Sequence, residues 1–235
     1  MKHAGEARRA ALRLIFLTLI AVGAVGLLGL GLGWAGALAE FLGRAVVVLA
    51  AVLAGIWILF ALFTFYFFRD PHAKTPDGPG LVVCPGHGKV DAVGQLAQSE
   101  FPGGPCHRIS IFLSVIDIHV QNAPVSGRII SVTHTAGKFI NAMEADSALY
   151  NENVLIGFDS SQTPGEKIGV RLIAGVLARR IVPFVKAGDE VKRGDRISLI
   201  QFGSRCDLYL PLDYKLKVKL GDKVVGGETV VASKT

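Results

Sequence analysis

The sequence predicts a mainly β soluble domain, of the barrel-sandwich-hybrid kind, carried behind an N-terminal two-helix transmembrane hairpin. Three observations predict it. Two long apolar runs, Leu14 to Ala39 and Ala45 to Phe68, contain no charged residue, and only Glu40 and Arg44 carry charge between them. Beyond residue 80 the pattern changes to short β-rich runs punctuated by glycine and proline, the spacing of an all-β barrel or sandwich. Finally, Gly188-Asp189-Glu190-Val191-Lys192-Arg193-Gly194-Asp195-Arg196-Ile197 is matched by Gly221-Asp222-Lys223-Val224-Val225-Gly226-Gly227-Glu228-Thr229-Val230. The shared pattern is a turn, a short strand, a second glycine turn and another strand, which resembles the repeated hairpin of barrel-sandwich hybrids such as biotinyl and lipoyl carrier domains.

Each apolar run exceeds the ~20 residues that cross a hydrocarbon core, and neither has the polar stripe of a helix packed on a soluble core. The expected arrangement is a tight hairpin turning at Glu40-Phe41-Leu42-Gly43-Arg44. Ala37-Leu38-Ala39 resembles a signal-peptidase site, but the run before it is too long for a signal sequence and a second span follows at once. Lys2, Arg8, Arg9 and Arg13 precede the first span, and Arg69 and Lys74 follow the second. Positive flanks favour the cytoplasmic side, so both ends are expected there, with the soluble domain on the cytoplasmic face of the cell (inner) membrane. The expected division is 1–68 for the hairpin and 69–235 for the soluble domain.

Pro71 disfavours helix at the residue before it and closes the membrane segment. His72 to Gly80 is a turn-rich linker. Strands are expected at Leu81 to Val83, Lys89 to Val93, Arg108 to Ser114, Gly127 to Thr133, Ile168 to Leu177, Arg179 to Val185, Arg196 to Phe202 and Leu208 to Leu210. The alternation in Asp117-Ile118-His119-Val120 puts Asp117 and His119 on one face of a further strand. A short helix is expected around Asn141 to Leu149.

The net charge of +6 comes from scattered bases, with no Lys/Arg block interleaved with aromatics. Nucleic acid is therefore not an expected partner, whereas anionic lipid headgroups are. Cys84, Cys106 and Cys206 have no metal-ligand spacing and are odd in number, which fits reduced thiols rather than a metal site or a disulfide framework.

The chemistry centres on Gly203–Ser204, a serine at a sharp break between two strand-like runs. Around it the chain resembles phosphatidylserine decarboxylase proenzymes of the short, archaeal-type form. The resemblance runs from about Phe67 to Val231 and rests on an ordered set of motifs. These are Phe68-Arg69-Asp70-Pro71; Cys84-Pro85 followed by Gly88-Lys89-Val90; Arg108 to Ser114; Asp117-Ile118-His119-Val120; Ala123 to Gly127; Gly137-Lys138-Phe139; Ala178 to Val182; and Phe202-Gly203-Ser204-Arg205.

The resemblance implies that Ser204 Oγ attacks the Gly203 carbonyl to form an ester. β-Elimination then leaves dehydroalanine, and hydrolysis gives ammonia and an N-terminal pyruvoyl group. Glycine before the serine tolerates the conformation this attack requires. A β chain of residues 1 to 203 and an α chain of 204 to 235 result. The ketone condenses with the substrate amine and accepts electrons as CO2 leaves, so no metal or pyridoxal cofactor is implied. The resemblance places His119 at the active site, as general acid or as the group orienting the substrate carboxylate. Arg179 and Arg180 are candidates for phosphate, and the implied partners are phosphatidylserine and the membrane.

The chain departs from the family at several helpers. Where the family usually has Ser-Pro-Ala-Asp-Gly-Lys-Val, this chain has Cys84 to Val90, so the aspartate associated with self-cleavage is His87. A neutral imidazole can serve as base, and Asp91 is a second candidate for the missing carboxylate. A basic position after the histidine is Asn122, and the family's Asn-Glu-Arg is Asn151-Glu152-Asn153. Two other readings follow: a divergent relative that no longer processes itself, and a binding or carrier module built on the hairpin repeat.

Overall fold

A computed structural model of the chain describes residues 5–32, 37–99, 101, 103–138, 150–163, 165–175, 180–201 and 204–234. They form two compact units, Gly5–Arg69 and Asp70 onward.

The first unit is two antiparallel helices in sequence succession, α1 (Glu6–Leu32) and α2 (Ala37–Phe67). Both are long and apolar enough to cross a membrane. They pack on each other through small and polar contacts: Trp57 Nε1 donates to Thr18 Oγ1 at 2.9 Å, and Gly26 lies against Ala50. Most of their large apolar side chains, among them Phe16, Leu27, Leu59 and Leu62, point outward. One expectation is corrected. Glu40 to Arg44 does not turn but lies inside α2, which already begins at Ala37. Glu and Arg have good helix propensity and the residues between them include a further helix former, Leu42, so two charges there do not end a helix.

The second unit is mainly β. Its principal sheet has eight strands in the spatial order β13 (Lys223–Val224), β2 (Gly88–Ser99), β3 (Gly104–Leu113), β11 (Ser204–Leu210), β7 (Lys167–Ala174), β6 (Asn153–Ser160), β5 (Gly127–Thr135), β9 (Glu190–Val191). Two three-stranded sheets complete it. One runs β1 (Leu81–Val83), β14 (Val230–Lys234), β12 (Tyr214–Leu216); the other runs β4 (Val120–Asn122), β10 (Arg196–Gln201), β8 (Arg180–Pro183). Alternate residues of the long strands, including Val90, Ile111, Leu113, Ile129, Ile156, Phe158, Val170, Leu172, Cys206 and Leu208, face one continuous core. Burying them is the main stabilising term.

The sequence repeat occupies equivalent places at the two edges of the large sheet. β9 pairs with β5 and β13 pairs with β2, each through two residues. The preceding turns are closed alike: Asp189 Oδ2 accepts from Lys186 N and Asp222 Oδ2 from Lys219 N, both at 2.9 Å. The strands they cover begin alike too, with Gly88 and Gly127. A Cβ at either would come within 2.1 Å of a carbonyl oxygen, Phe112 O or Asp159 O. Glycine is required there by close backbone approach.

The expected strands are present, with boundaries moved by a few residues. Two differences matter. β6 escaped the sequence reading because nearly all its residues are buried, so it shows no period-two alternation. Asp117 to His119 is a turn leading into β4 rather than a strand. The Asp117 carboxylate accepts from Ser114 N at 2.8 Å and Ser114 Oγ at 2.7 Å, closing the turn locally. The helix expected around Asn141 to Leu149 lies outside the described residues.

Candidate active site

Ser204 opens β11 at a change of sheet. β10, ending at Gln201, belongs to a three-stranded sheet, and β11 is a central strand of the eight-stranded one. Gly203 and Phe202 lie between them, outside the described residues. Ser204 pairs with Leu113 on one side and Ala174 on the other. Strand alternation points its side chain with Cys206 and Leu208 to the core face. Ser204 is fully buried, and its Oγ has no hydrogen-bond partner among the described residues. A buried hydroxyl left unpaired costs about 1–3 kcal/mol, and such a cost is retained where the hydroxyl has another use. A prosthetic group made from Ser204 fits this place: it would stand at the head of a strand already held on both sides.

His119 is brought to the same region. It is buried, at 1% exposure, and its carbonyl accepts from Ile200 N at 3.0 Å, four residues before Ser204. Its Nδ1 lies 2.9 Å from the Asp117 carbonyl. A carbonyl only accepts, so Nδ1 carries the proton, and in the neutral ring Nε2 carries the lone pair. The backbone of Asp117, not its carboxylate, sets this tautomer. Gln121 and Ser198 brace the histidine: Gln121 Nε2 donates to His119 O at 2.7 Å, and Ser198 Oγ to Gln121 Oε1 at 2.6 Å. Sequence reasoning passed over both residues, and their only signal was polarity inside otherwise apolar strands.

His87 lies in the loop Cys84 to His87, which joins β1 to the start of β2. Gly86 in that loop packs near the Cys206 Cβ and the Leu113 side chain, on the face to which Ser204 points. Half-buried His87 and buried Asn122 flank one glycine. A Cβ on Gly226 would meet Asn122 Oδ1, His87 Cδ2 and His87 Nε2, each at 3.0 Å. Asn122 is fixed by Nδ2 donating to Gly194 O and by its amide donating to Pro85 O, each at 2.8 Å. Two of the departures from the family pattern are thus neighbours. Asn153, the third departure, donates from Nδ2 to Asn151 O at 3.0 Å, and Asn151, which keeps the family's residue, donates from its own Nδ2 to the carbonyl of Ala174, the partner of Ser204, at 2.7 Å.

Asp91 is not the missing carboxylate. It pairs with Arg205 at 2.8 Å, and Arg205 points to the opposite face of β11 from Ser204. There Lys89, Asp91, Arg108, Arg205 and Asp207 line a cavity of about 510 Å3. Burial pushes the Asp207 carboxyl above its ordinary range, with Ser110 and Arg205 pulling it partly back.

Arg180 is exposed on β8 and pairs in register with Gln201, next to the serine crossing. Arg179 lies outside the described residues. Cys84, Cys106 and Cys206 are buried and form no disulfide. Burial raises the Cys84 thiol to about 12 and Cys206 well above its usual value, so both are poor nucleophiles. Among the described residues no group of three or more His, Cys, Asp or Glu could hold a metal ion.

The family model for phosphatidylserine decarboxylase matches residues 60–232. The chain is 41% identical over 180 residues to a phosphatidylserine decarboxylase proenzyme of Desulfotalea psychrophila, covering 77% of this chain and 83% of that one. It is also 41% identical to the proenzymes of Symbiobacterium thermophilum, covering 78% and 82%, and of Pelobacter propionicus, covering 77% and 83%. The chain belongs to the phosphatidylserine decarboxylase family. Its hairpin repeat is therefore part of a carboxy-lyase fold and not the mark of a carrier domain.

Proposed function

We propose that the chain is a membrane-anchored, pyruvoyl-dependent decarboxylase. It cuts itself between Gly203 and Ser204 and then converts phosphatidylserine to phosphatidylethanolamine and CO2. The observation that carries this reading is the buried hydroxyl of Ser204, without a partner among the described residues, at a change of sheet, in a chain whose relatives are named proenzymes.

In processing, Ser204 Oγ attacks the Gly203 carbonyl and the peptide nitrogen leaves as the ester forms. His87, beside Asn122, is the base assigned to take the serine proton. Elimination and hydrolysis release ammonia and leave a pyruvoyl group on residue 204. That group supplies a ketone to bind the substrate amine and draw electrons from the bond to CO2. His119 holds a proton at the reacting carbon or orients the departing carboxylate. Arg179 and Arg180 are assigned to the lipid phosphate. Cleavage need not release the 204–235 piece, because β11 lies between β3 and β7, β13 pairs with β2, and β14 pairs with β1.

The two apolar helices would anchor the enzyme where its substrate resides, and the positive flanks favour the cytoplasmic side for the second unit. The test is the intact mass of the purified protein. Wild type is expected to yield a 204–235 fragment with a pyruvoyl terminus, and Ser204→Ala is not. A wild-type chain that stays whole in membranes would sink the reading. His87 in place of the usual aspartate favours a second reading, a relative that has stopped processing itself. In that case His87→Asp would switch cleavage on in a silent wild type.

A further inference from the structure

We propose that the edge of the β domain from Lys215 to Val225, with Lys89, is a second membrane contact, made to anionic lipid and separate from the helical anchor. From β12 onward the chain alternates strictly. Tyr214, Leu216 and Val218 pack toward the core, while Lys215, Lys217 and Lys219 are exposed. The following turn is rigid: the Asp222 carboxylate closes it, Gly221 N donates to Val90 O, and Val90 N donates to Asp222 O. This firmly held turn nevertheless lifts Leu220 into solvent at 67% exposure, and Val225 beyond it is 42% exposed.

The charge arrangement is the second observation. Lys223 and Lys89 stand directly opposite each other in the β13–β2 pair, and both are exposed. Like charges across a strand pair repel, and a surface of opposite sign relieves that repulsion. No ion pair among the described residues uses Lys89, Lys215, Lys217, Lys219 or Lys223. Nearby Asp91 is engaged by Arg205 and Asp213 by Lys234. Two isolated apolar tips among five lysines fit a bilayer interface, where tips enter the headgroup layer and lysines meet acidic lipids.

The contact also lies close to the serine. β13 and β11 are three strand spacings apart, about 14 Å along the sheet, and a Cβ on Gly226, beside Val225, would meet His87 and Asn122. If the function proposed above holds, docking here brings the site to the surface that carries its substrate.

The test uses the full chain in lipid nanodiscs, with an environment-sensitive dye on Leu220→Cys; the three native cysteines are buried. Discs of phosphatidylcholine alone are compared with discs of equal parts phosphatidylcholine and phosphatidylglycerol. Expected are a blue shift and quenching by spin-labelled lipid in the anionic discs, both lost in Lys217→Glu/Lys219→Glu/Lys223→Glu. Emission that ignores lipid charge would overturn the proposal. So would a shift that depends on having two copies per disc, because that assigns the edge to a second copy of the chain. The 204–235 fragment on a gel reports self-cleavage independently, so loss of docking and loss of processing are read apart.

Discussion

The amide of Ile200 donates to the carbonyl of His119 at 3.0 Å, so the histidine is tied to the strand that delivers Ser204. The tie runs through backbone and survives replacement of the imidazole. His119→Gln is therefore expected to leave the β10–β4 pairing and the self-cleavage intact. Decarboxylation should fall by about 10^2–10^4-fold, the usual worth of a positioned acid or base. A gel for the 204–235 fragment and CO2 release from the serine lipid separate the two steps. If the fragment disappears as well, His119 acts in processing and its assignment to the decarboxylation step fails.

Gly226 offers a way to disturb His87 and Asn122 without replacing either. A methyl at this position would stand 3.0 Å from both side chains, tighter than ordinary contact, so one of them must shift by a few tenths of an ångström. In Gly226→Ala the half-time for fragment appearance should lengthen about tenfold, a barrier increase of about 1.4 kcal/mol. Once cleaved, the variant should decarboxylate at close to the wild-type rate. Unchanged processing would remove His87 from the role of base.

What the sequence made legible here was local. The apolar runs, most strands and the glycine turns of the repeat all follow from nearest-neighbour chemistry, as does the break between strand-like runs at Ser204, whereas His119 stands out only through the resemblance to the family. What it hid depended on long-range pairing. β6 is buried on both faces and so lacks alternation. Asp117 resembles a partner for His119 but spends its carboxylate on Ser114. Asp91 is near His87 in sequence, yet the sheet turns it toward Arg205 on the other face. Gln121, Ser198 and Asn151 matter only through what the fold sets beside them.

Arg196 shows how strongly such a long-range contact is expected to act. It is 2% exposed, and its Nε meets the Asp70 carboxylate at 2.6 Å, joining the Asp70-Pro71 segment to β10. Removing one member of a buried pair leaves the other charged and desolvated, at a cost of about 3–5 kcal/mol. Arg196→Met keeps most of the volume but not the charge. Its melting temperature in detergent should fall by roughly 6–20 °C, and Asp70→Asn in the same background should recover part of the loss. No recovery would show that the guanidinium acts through packing rather than through Asp70.

Asp207 gives the β domain a pH dependence of defined sign. Burial raises its carboxyl above the ordinary value of 3.8, and the Ser110 and Arg205 contributions only partly offset this. The native state therefore holds the proton more tightly than the unfolded chain. The stabilisation is complete below about pH 4, the unfolded value, and is lost as pH rises through the raised native value. Asp207→Asn has the shape of the protonated acid and does not titrate. The melting temperature of the variant minus that of the wild type should thus become more positive from pH 4 to pH 8, whatever its starting sign. A difference that becomes more negative over that range would mean that attraction to Arg205 outweighs burial, reversing the direction assigned to Asp207.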